Sequence, residues 1–108
     1  MKKVYLCAPF HVDEDLQQIK TYTHYALRCG TAPVVPHFYA LCLDDEITKE
    51  RCVAAGRSLL WFCDELWVFG DEITEAMRTE IEFCRNLNIR IRTISDDEIE
   101  SKLGGYCL

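Results

Sequence analysis

Glu80 is a carboxylate at a position whose neighbours are apolar. With residues 73–87 placed on a helical wheel at roughly 100° per residue, Ile73, Ala76, Met77, Phe83, Cys84 and Leu87 fall within about 60° of it. Glu75, Arg78, Glu82 and Arg85 fall on the far side. An unpaired charge on an apolar arc is costly, so this carboxylate must be paired, protonated or turned towards a cavity. A Glu that snorkels to a sheet edge, or one in a structural hydrogen-bond network, satisfies the same pattern. Facing a cleft, it would have its pKa raised by desolvation and lowered again by a donor such as a tyrosine. Such a group can act as nucleophile or proton carrier.

Other residues with usable chemistry lie where a cleft would need them. Thr74 is a credible N-cap for the same helix, and the N–H groups after it, around Ala76 and Met77, would form an anion-binding end. A plain capping threonine reads identically. Tyr5 sits in an apolar run and either points its hydroxyl at the cleft or is an ordinary core aromatic. His37 follows Pro36, and His11 follows Ala8-Pro9-Phe10; each is a ligand contact or a surface loop histidine. Asp64 reads as a local cap or pairing group, Trp67 as core, and Asp96-Asp97-Glu98 as a solvated helix start.

The elements that must hold these residues alternate in period. Val4-Tyr5-Leu6-Cys7-Ala8 is a continuous apolar run closed by Pro9, the pattern of a strand covered on both faces. Residues 12–28 have helical spacing through Leu16, Ile19, Thr23, Ala26 and Leu27, with Gly30 as the stop. Residues 32–36 form a second strand, whose prolines suit an edge. A loop at 37–43 precedes a helix capped by Asp44 or Asp45 that runs to about Phe62, with Gly56 inside it. Residues 65–69 are the strongest strand, 75–87 a helix, 89–93 an edge-like strand, and Ser95 opens a last short helix.

This order predicts a single α/β domain over 1–108: a Rossmann-like (flavodoxin-like) three-layer sandwich with a mostly parallel sheet of four or five strands. In such sheets ligands bind beyond the carboxyl ends of the strands. Three segments should therefore converge: Ala8 and Pro9 through His11, Pro36 to Tyr39, and Gly70 to Thr74.

Composition narrows the function classes. The 108 residues carry a net charge of −6, which argues against a chain built to coat a nucleic-acid polymer or an anionic membrane. Seven cysteines, an odd number without C-x-x-C spacing, read as small hydrophobes of a reducing cytosol. A zinc site from cysteines with His11, His24 and His37 would need ligands gathered from scattered positions, so no metal or cofactor is expected. No run approaches the roughly 18 apolar residues of a membrane span, and none resembles a secretory leader. The expected location is the cytoplasm.

Val4 to Phe10, Cys63 to Gly70, and the segment from Thr74-Glu75-Ala76-Met77 to Glu80-Ile81 together resemble the nucleoside 2-deoxyribosyltransferase-like superfamily, and within it a group of small bacterial and phage domains. The similarity runs from residue 3 to about 94. It implies cleavage or exchange of the N-glycosidic bond of 2-deoxynucleosides or their 5′-monophosphates. On that resemblance Glu80 matches the glutamate nucleophile that forms a glycosyl-enzyme intermediate, and Tyr5 matches the tyrosine that positions it. Thr74 falls where the nucleotide hydrolase branch has a phosphate-binding serine. The resemblance also implies an aspartate that helps protonate the departing base, but its place falls on Gly56, beside Arg57 and Ser58. The transferase branch has an aspartate where Thr74 stands, and loop glycines of the family are replaced by Ala76 and Arg78. Two classes of function follow: an N-glycosidase or deoxyribosyltransferase of nucleosides or nucleotides, and a non-catalytic module that senses or sequesters a nucleotide. A subunit with a vestigial pocket is the third. The expected partners are a small nucleoside or nucleotide and further copies of the chain, with Trp61, Phe62 and the Tyr106-Cys107-Leu108 tail as interface candidates and core as the alternative fate of the two aromatics.

Overall fold

A computed structural model describes residues 1–11 and 15–104. The interface candidates Tyr106, Cys107 and Leu108 lie outside the described residues. The chain order is β1 (Lys3–Cys7), α1 (Leu16–Arg28), β2 (Ala32–Val34), a 3-10 helix (Pro36–Cys42), α2 (Lys49–Arg57), a second 3-10 helix (Leu60–Phe62), β3 (Glu65–Val68), α3 (Glu75–Asn86), β4 (Arg90–Thr93) and α4 (Asp96–Leu103).

The four strands form one sheet in the order β2-β1-β3-β4, and every pairing is parallel. The expectation of four or five mostly parallel strands thus resolves to four, all parallel. The two most apolar runs, β1 and β3, occupy the centre, where both faces are covered. Pro33 in β2 has a strand partner on one side alone, the setting in which a residue without an N–H is tolerated.

Alternation along the central strands divides the core. Val4, Leu6, Ala8, Trp67 and Phe69 face a cluster that includes Ile19, Tyr22 and Ala26 of α1 and Ile99 and Leu103 of α4. Tyr5, Cys7, Leu66 and Val68 face the other way, onto Leu60, Cys63 and the α3 residues Met77 and Cys84. Each cluster buries several large side chains at about 1.5–3 kcal/mol apiece in transfer terms. Tyr5 and Cys7 are therefore delivered to α3 by strand periodicity alone.

Three local expectations are corrected. The second helix begins after Thr48, whose hydroxyl accepts from Arg51 N, and ends at Arg57 rather than near Phe62. Asp44 closes a tight turn instead, accepting from the N–H groups of Glu46 and Ile47 at 2.8 and 2.7 Å. The apolar arc of α3 is narrower than its wheel: Met77 and Cys84 are buried, whereas Ala76 and Leu87 are exposed, as is Ile73 just ahead of the helix. Trp61 and Phe62 are 62% and 71% exposed and so belong to the surface. Cys7, Cys63 and Cys84 are buried free thiols, and Trp67 is core.

Candidate active site around Glu80

Glu80 lies about two turns into α3, and its side chain is 15% exposed. The Tyr5 hydroxyl, rising from β1 beneath the helix, donates to Glu80 Oε2 at 2.9 Å. The Cys7 thiol, two residues along the same strand face, is a second donor to the carboxylate, and it also stands 4.0 Å from the Met77 carbonyl. Arg57, at the last turn of α2, brings Nε to 3.9 Å from the same Oε2. Its Nη2 reaches the Ala76 carbonyl at 3.4 Å.

These neighbours set the protonation states. Burial raises the Glu80 pKa, and the hydrogen bonds from Tyr5 and Cys7 and the Arg57 charge offset it in part, leaving it above the usual carboxylate value. Burial, reinforced by the adjacent carboxylate, pushes the Tyr5 phenol and the Cys7 thiol upward, so both remain protonated donors. Glu65 shows what a purely structural buried carboxylate looks like here. Burial would raise it, but Lys2 at 2.7 Å, the Trp67 indole N–H at 2.8 Å and the Arg90 charge prevail and hold it below the usual range. Two carboxylates, Glu65 on β3 and Glu80 on α3, are thus driven in opposite directions by their surroundings.

The α3 N-terminus is built as its sequence implies, with one correction. Thr74 is the N-cap, and its Oγ1 accepts from Met77 N at 3.2 Å. The Met77 amide, expected to be free for an anion, is thus already used, while Met77 sulfur accepts from Thr74 N at 3.5 Å. Glu75 and Ala76 occupy the first turn, where backbone amides have no partner within the helix.

The three expected segments do meet. Gly70, at φ 87°, sits so close to the β1 turn that a Cβ on it would lie 3.0 Å from Pro9 Cδ. Ala8 is buried at that turn. The His37 ring packs edge-on against Phe10, with centroids 5.2 Å apart. Burial lowers the His37 pKa, partly countered by the Ala8 backbone as acceptor, so the imidazole is neutral near pH 7 with a buried Nδ1 that has no hydrogen-bond partner. His11 is exposed, and its backbone N–H is tied to Asp15 Oδ2 at 2.7 Å. Asp64 is a pairing group but not a local one: its Oδ2 accepts from Lys3 N at 2.8 Å, at the start of the neighbouring strand β1. Among the described residues no group of three or more His, Cys, Asp or Glu side chains is placed to hold a metal ion.

Two contributors escape a reading of the sequence. Cys7 reads as a small hydrophobe, and the signal that would have found it is its two-residue spacing from Tyr5, which puts both on one face. Arg57 reaches Glu80 because Gly56 lets α2 settle onto Pro36: a Cβ at Gly56 would stand 2.4 Å from Pro36 Cβ and 3.6 Å from the Tyr5 hydroxyl. Where the resemblance implied an acid, the backbone leaves no space for a side chain, and the neighbouring position supplies a cation.

Comparison with known proteins agrees with this architecture. The solved structure of a 2-deoxyribosyltransferase from the psychrotolerant bacterium Bacillus psychrosaccharolyticus matches with a TM-score of 0.69 at 16% identity, covering 93% of this chain and 81% of that one. That enzyme is described as a biocatalyst for synthesis of antiviral and antitumoral nucleosides, and the likeness to it is one of fold. No curated protein matches the sequence. No helix among the described residues is long and apolar enough to cross a membrane. A family model described as a domain of unknown function, DUF7768, matches residues 2–94, and the chain belongs to that family.

Proposed function

We propose that this protein binds a nucleoside or nucleotide at the strand-end cleft and makes or breaks the bond at its anomeric carbon, as an N-glycosidase or deoxyribosyltransferase, with Glu80 as nucleophile. The observation that carries this reading is a mostly buried carboxylate whose pKa is raised by burial and which accepts from the Tyr5 hydroxyl at 2.9 Å. A carboxylate so placed is desolvated enough to be reactive and oriented enough to attack. An oxocarbenium-like centre is stabilised by such a group and then bonds to it.

Tyr5 is the orienting donor, and Thr74 with the Glu75 and Ala76 amides is the clamp for an anionic substituent of the ligand. His37 offers a neutral imidazole nitrogen to a sugar hydroxyl or base N–H, Ala8, Pro9 and Gly70 form the floor, and His11 lies at the rim with Met77 beneath. The exposed Trp61 and Phe62 are the seat of self-association into a homodimer or larger homo-oligomer. The protein works in the cytoplasm without a cofactor.

The test incubates the protein with a panel of deoxynucleosides and their 5′-monophosphates and follows free base by chromatography. Base release that disappears in Glu80→Gln is the expected result. Release that persists in that variant removes the mechanism, and a thermal shift with nucleotide but no release from any substrate makes the protein a binding module instead.

A further inference from the structure

The charge next to Glu80 restricts which bond the site can break. A nucleobase leaves an anomeric carbon readily when a proton reaches it, and that proton must come from an acid whose pKa lies near the working pH. Among the described residues, the ionisable groups that interact with the Glu80 carboxylate include Tyr5, Cys7, Arg57 and, behind them, the buried Cys84 thiol, which burial and the Glu80 charge push up to about 11. Tyr5 spends its hydrogen on the carboxylate, the single Cys7 thiol hydrogen is divided between the carboxylate and the Met77 carbonyl, and burial makes both groups poorer acids than usual. A guanidinium does not give up a proton at all. Gly56, the neighbouring place on α2, is closed to any side chain by Pro36.

What Arg57 offers instead is a fixed positive charge with unspent donors. Its buried Nε has no hydrogen-bond partner, and the 3.9 Å gap to Glu80 is an ion pair rather than a hydrogen bond. Its Nη2 makes one long contact, 3.4 Å to the Ala76 carbonyl of α3, and the side chain is 36% exposed. A planar fork in this state suits the oxygens of a phosphate.

Resting on the reading of Glu80 as nucleophile, we propose that the donor substrate is a pentosyl 1-phosphate, whose leaving group departs as an anion held by Arg57. In the first step a Glu80 oxygen bonds to C1 of the sugar while the C1–O bond to phosphate breaks. The electron pair leaves on oxygen, so a monoanionic ester releases hydrogen phosphate dianion and no proton from the protein is needed. In the second step a nucleobase N–H or a water attacks C1, the Glu80 oxygen leaves with its pair, and the proton of the attacking group passes to the medium. With a base as acceptor, the product is a nucleoside.

The experiment compares phosphate release from 2-deoxyribose 1-phosphate with base release from 2′-deoxyadenosine, at pH 7.5 and above the enzyme-free rate. The expected kcat/KM is at least tenfold higher for the phosphate. Arg57→Gln should lower phosphate release at least tenfold more than it lowers base release, Arg57→Lys should restore part of that difference, and Glu80→Gln should abolish both. Faster release of base than of phosphate, or equal losses for both substrates in Arg57→Gln, overturns the assignment of Arg57 while leaving Glu80 as nucleophile. Release of neither from the folded wild type overturns both readings.

Discussion

The Tyr5 hydroxyl meets the Glu80 carboxylate 75 residues away in sequence and 2.9 Å away in space. The contact spans the sheet–helix interface, so it depends on β1 and α3 being packed in one fixed register. Tyr5 is itself fully buried, and its ring lies among the apolar residues under α3. Orientation of the carboxylate is therefore built into the core rather than into a loop.

Replacing Tyr5 with Phe keeps that packing and removes the donor. The hydrogen bond lowers the Glu80 pKa, so its loss raises that pKa further. The acid limb of the pH–rate profile should move to higher pH, and kcat/KM on the favoured substrate should fall by about one to two orders of magnitude. A carbon-13 titration of the glutamate carboxyls reads the same shift without turnover. An unmoved Glu80 titration in Tyr5→Phe would contradict the positioning role.

Gly56→Ala is expected to destabilise the protein even though Ala is the better helix former by about 1 kcal/mol. The added methyl would stand 2.4 Å from Pro36 Cβ and 2.8 Å from Pro36 Cγ, which forces α2 off the 3-10 segment. Overpacking of this kind costs about 1–3 kcal/mol, and against the propensity gain the net loss by urea unfolding should reach about 2 kcal/mol at the upper end. Stabilisation instead would mean that α2 is not seated on Pro36 as described.

The central strands and α3 were legible in the sequence because their signals are local. Val4 to Ala8 and Leu66 to Phe69 are unbroken apolar runs that sheet burial alone explains, and Thr74 marks a helix start by its own hydroxyl. The start of α2 was not, since Asp44 and Thr48 are both good caps, and in the fold Asp44 is taken by the turn to Ile47 while Thr48 caps the helix. Arg57 could not be assigned to the site either. Its position depends on a glycine–proline contact between two elements, and nothing in the spacing of residues 49–57 reports it. Glu80, by contrast, announced itself as a charge on an apolar arc, although that arc proved narrower than the wheel implied.

Trp61 and Phe62 offer a test of self-association. Both are largely exposed, and Trp61 is steadied by an edge contact to Phe83 at 5.2 Å. Large exposed aromatics on one short turn are enriched at interfaces. Sedimentation at tens of micromolar should show the wild type as a dimer or larger and the Trp61→Ser, Phe62→Ser double variant as a monomer. Stability of the isolated fold should change by no more than about 1.5 kcal/mol, the worth of the aromatic pair. A wild type that sediments as a monomer removes the proposed assembly.

The pH dependence of stability separates a working carboxylate from a structural one. Glu80 has its pKa raised on folding, so the folded chain binds the proton more tightly than the unfolded chain. Its contribution is neutral below the ordinary value of 4.5 and turns unfavourable as pH rises through the folded pKa. Each unit of elevation is worth about 1.4 kcal/mol once both states are ionised. Glu80→Gln, which keeps an acceptor for Tyr5 and carries no charge, should match the wild type near the acid end and melt several degrees higher at pH 8. Glu65 runs the other way. Its pKa is lowered on folding, so its stabilisation is present above the usual carboxylate range and is lost as pH falls through the folded value. Glu65→Gln should therefore be less stable than wild type at pH 8, with the gap closing in acid. Melting curves of the two variants across pH 4–8 that diverge from wild type in opposite directions are the expected result; a Glu80→Gln variant that is the less stable protein at pH 8 would assign Glu80 to the scaffold.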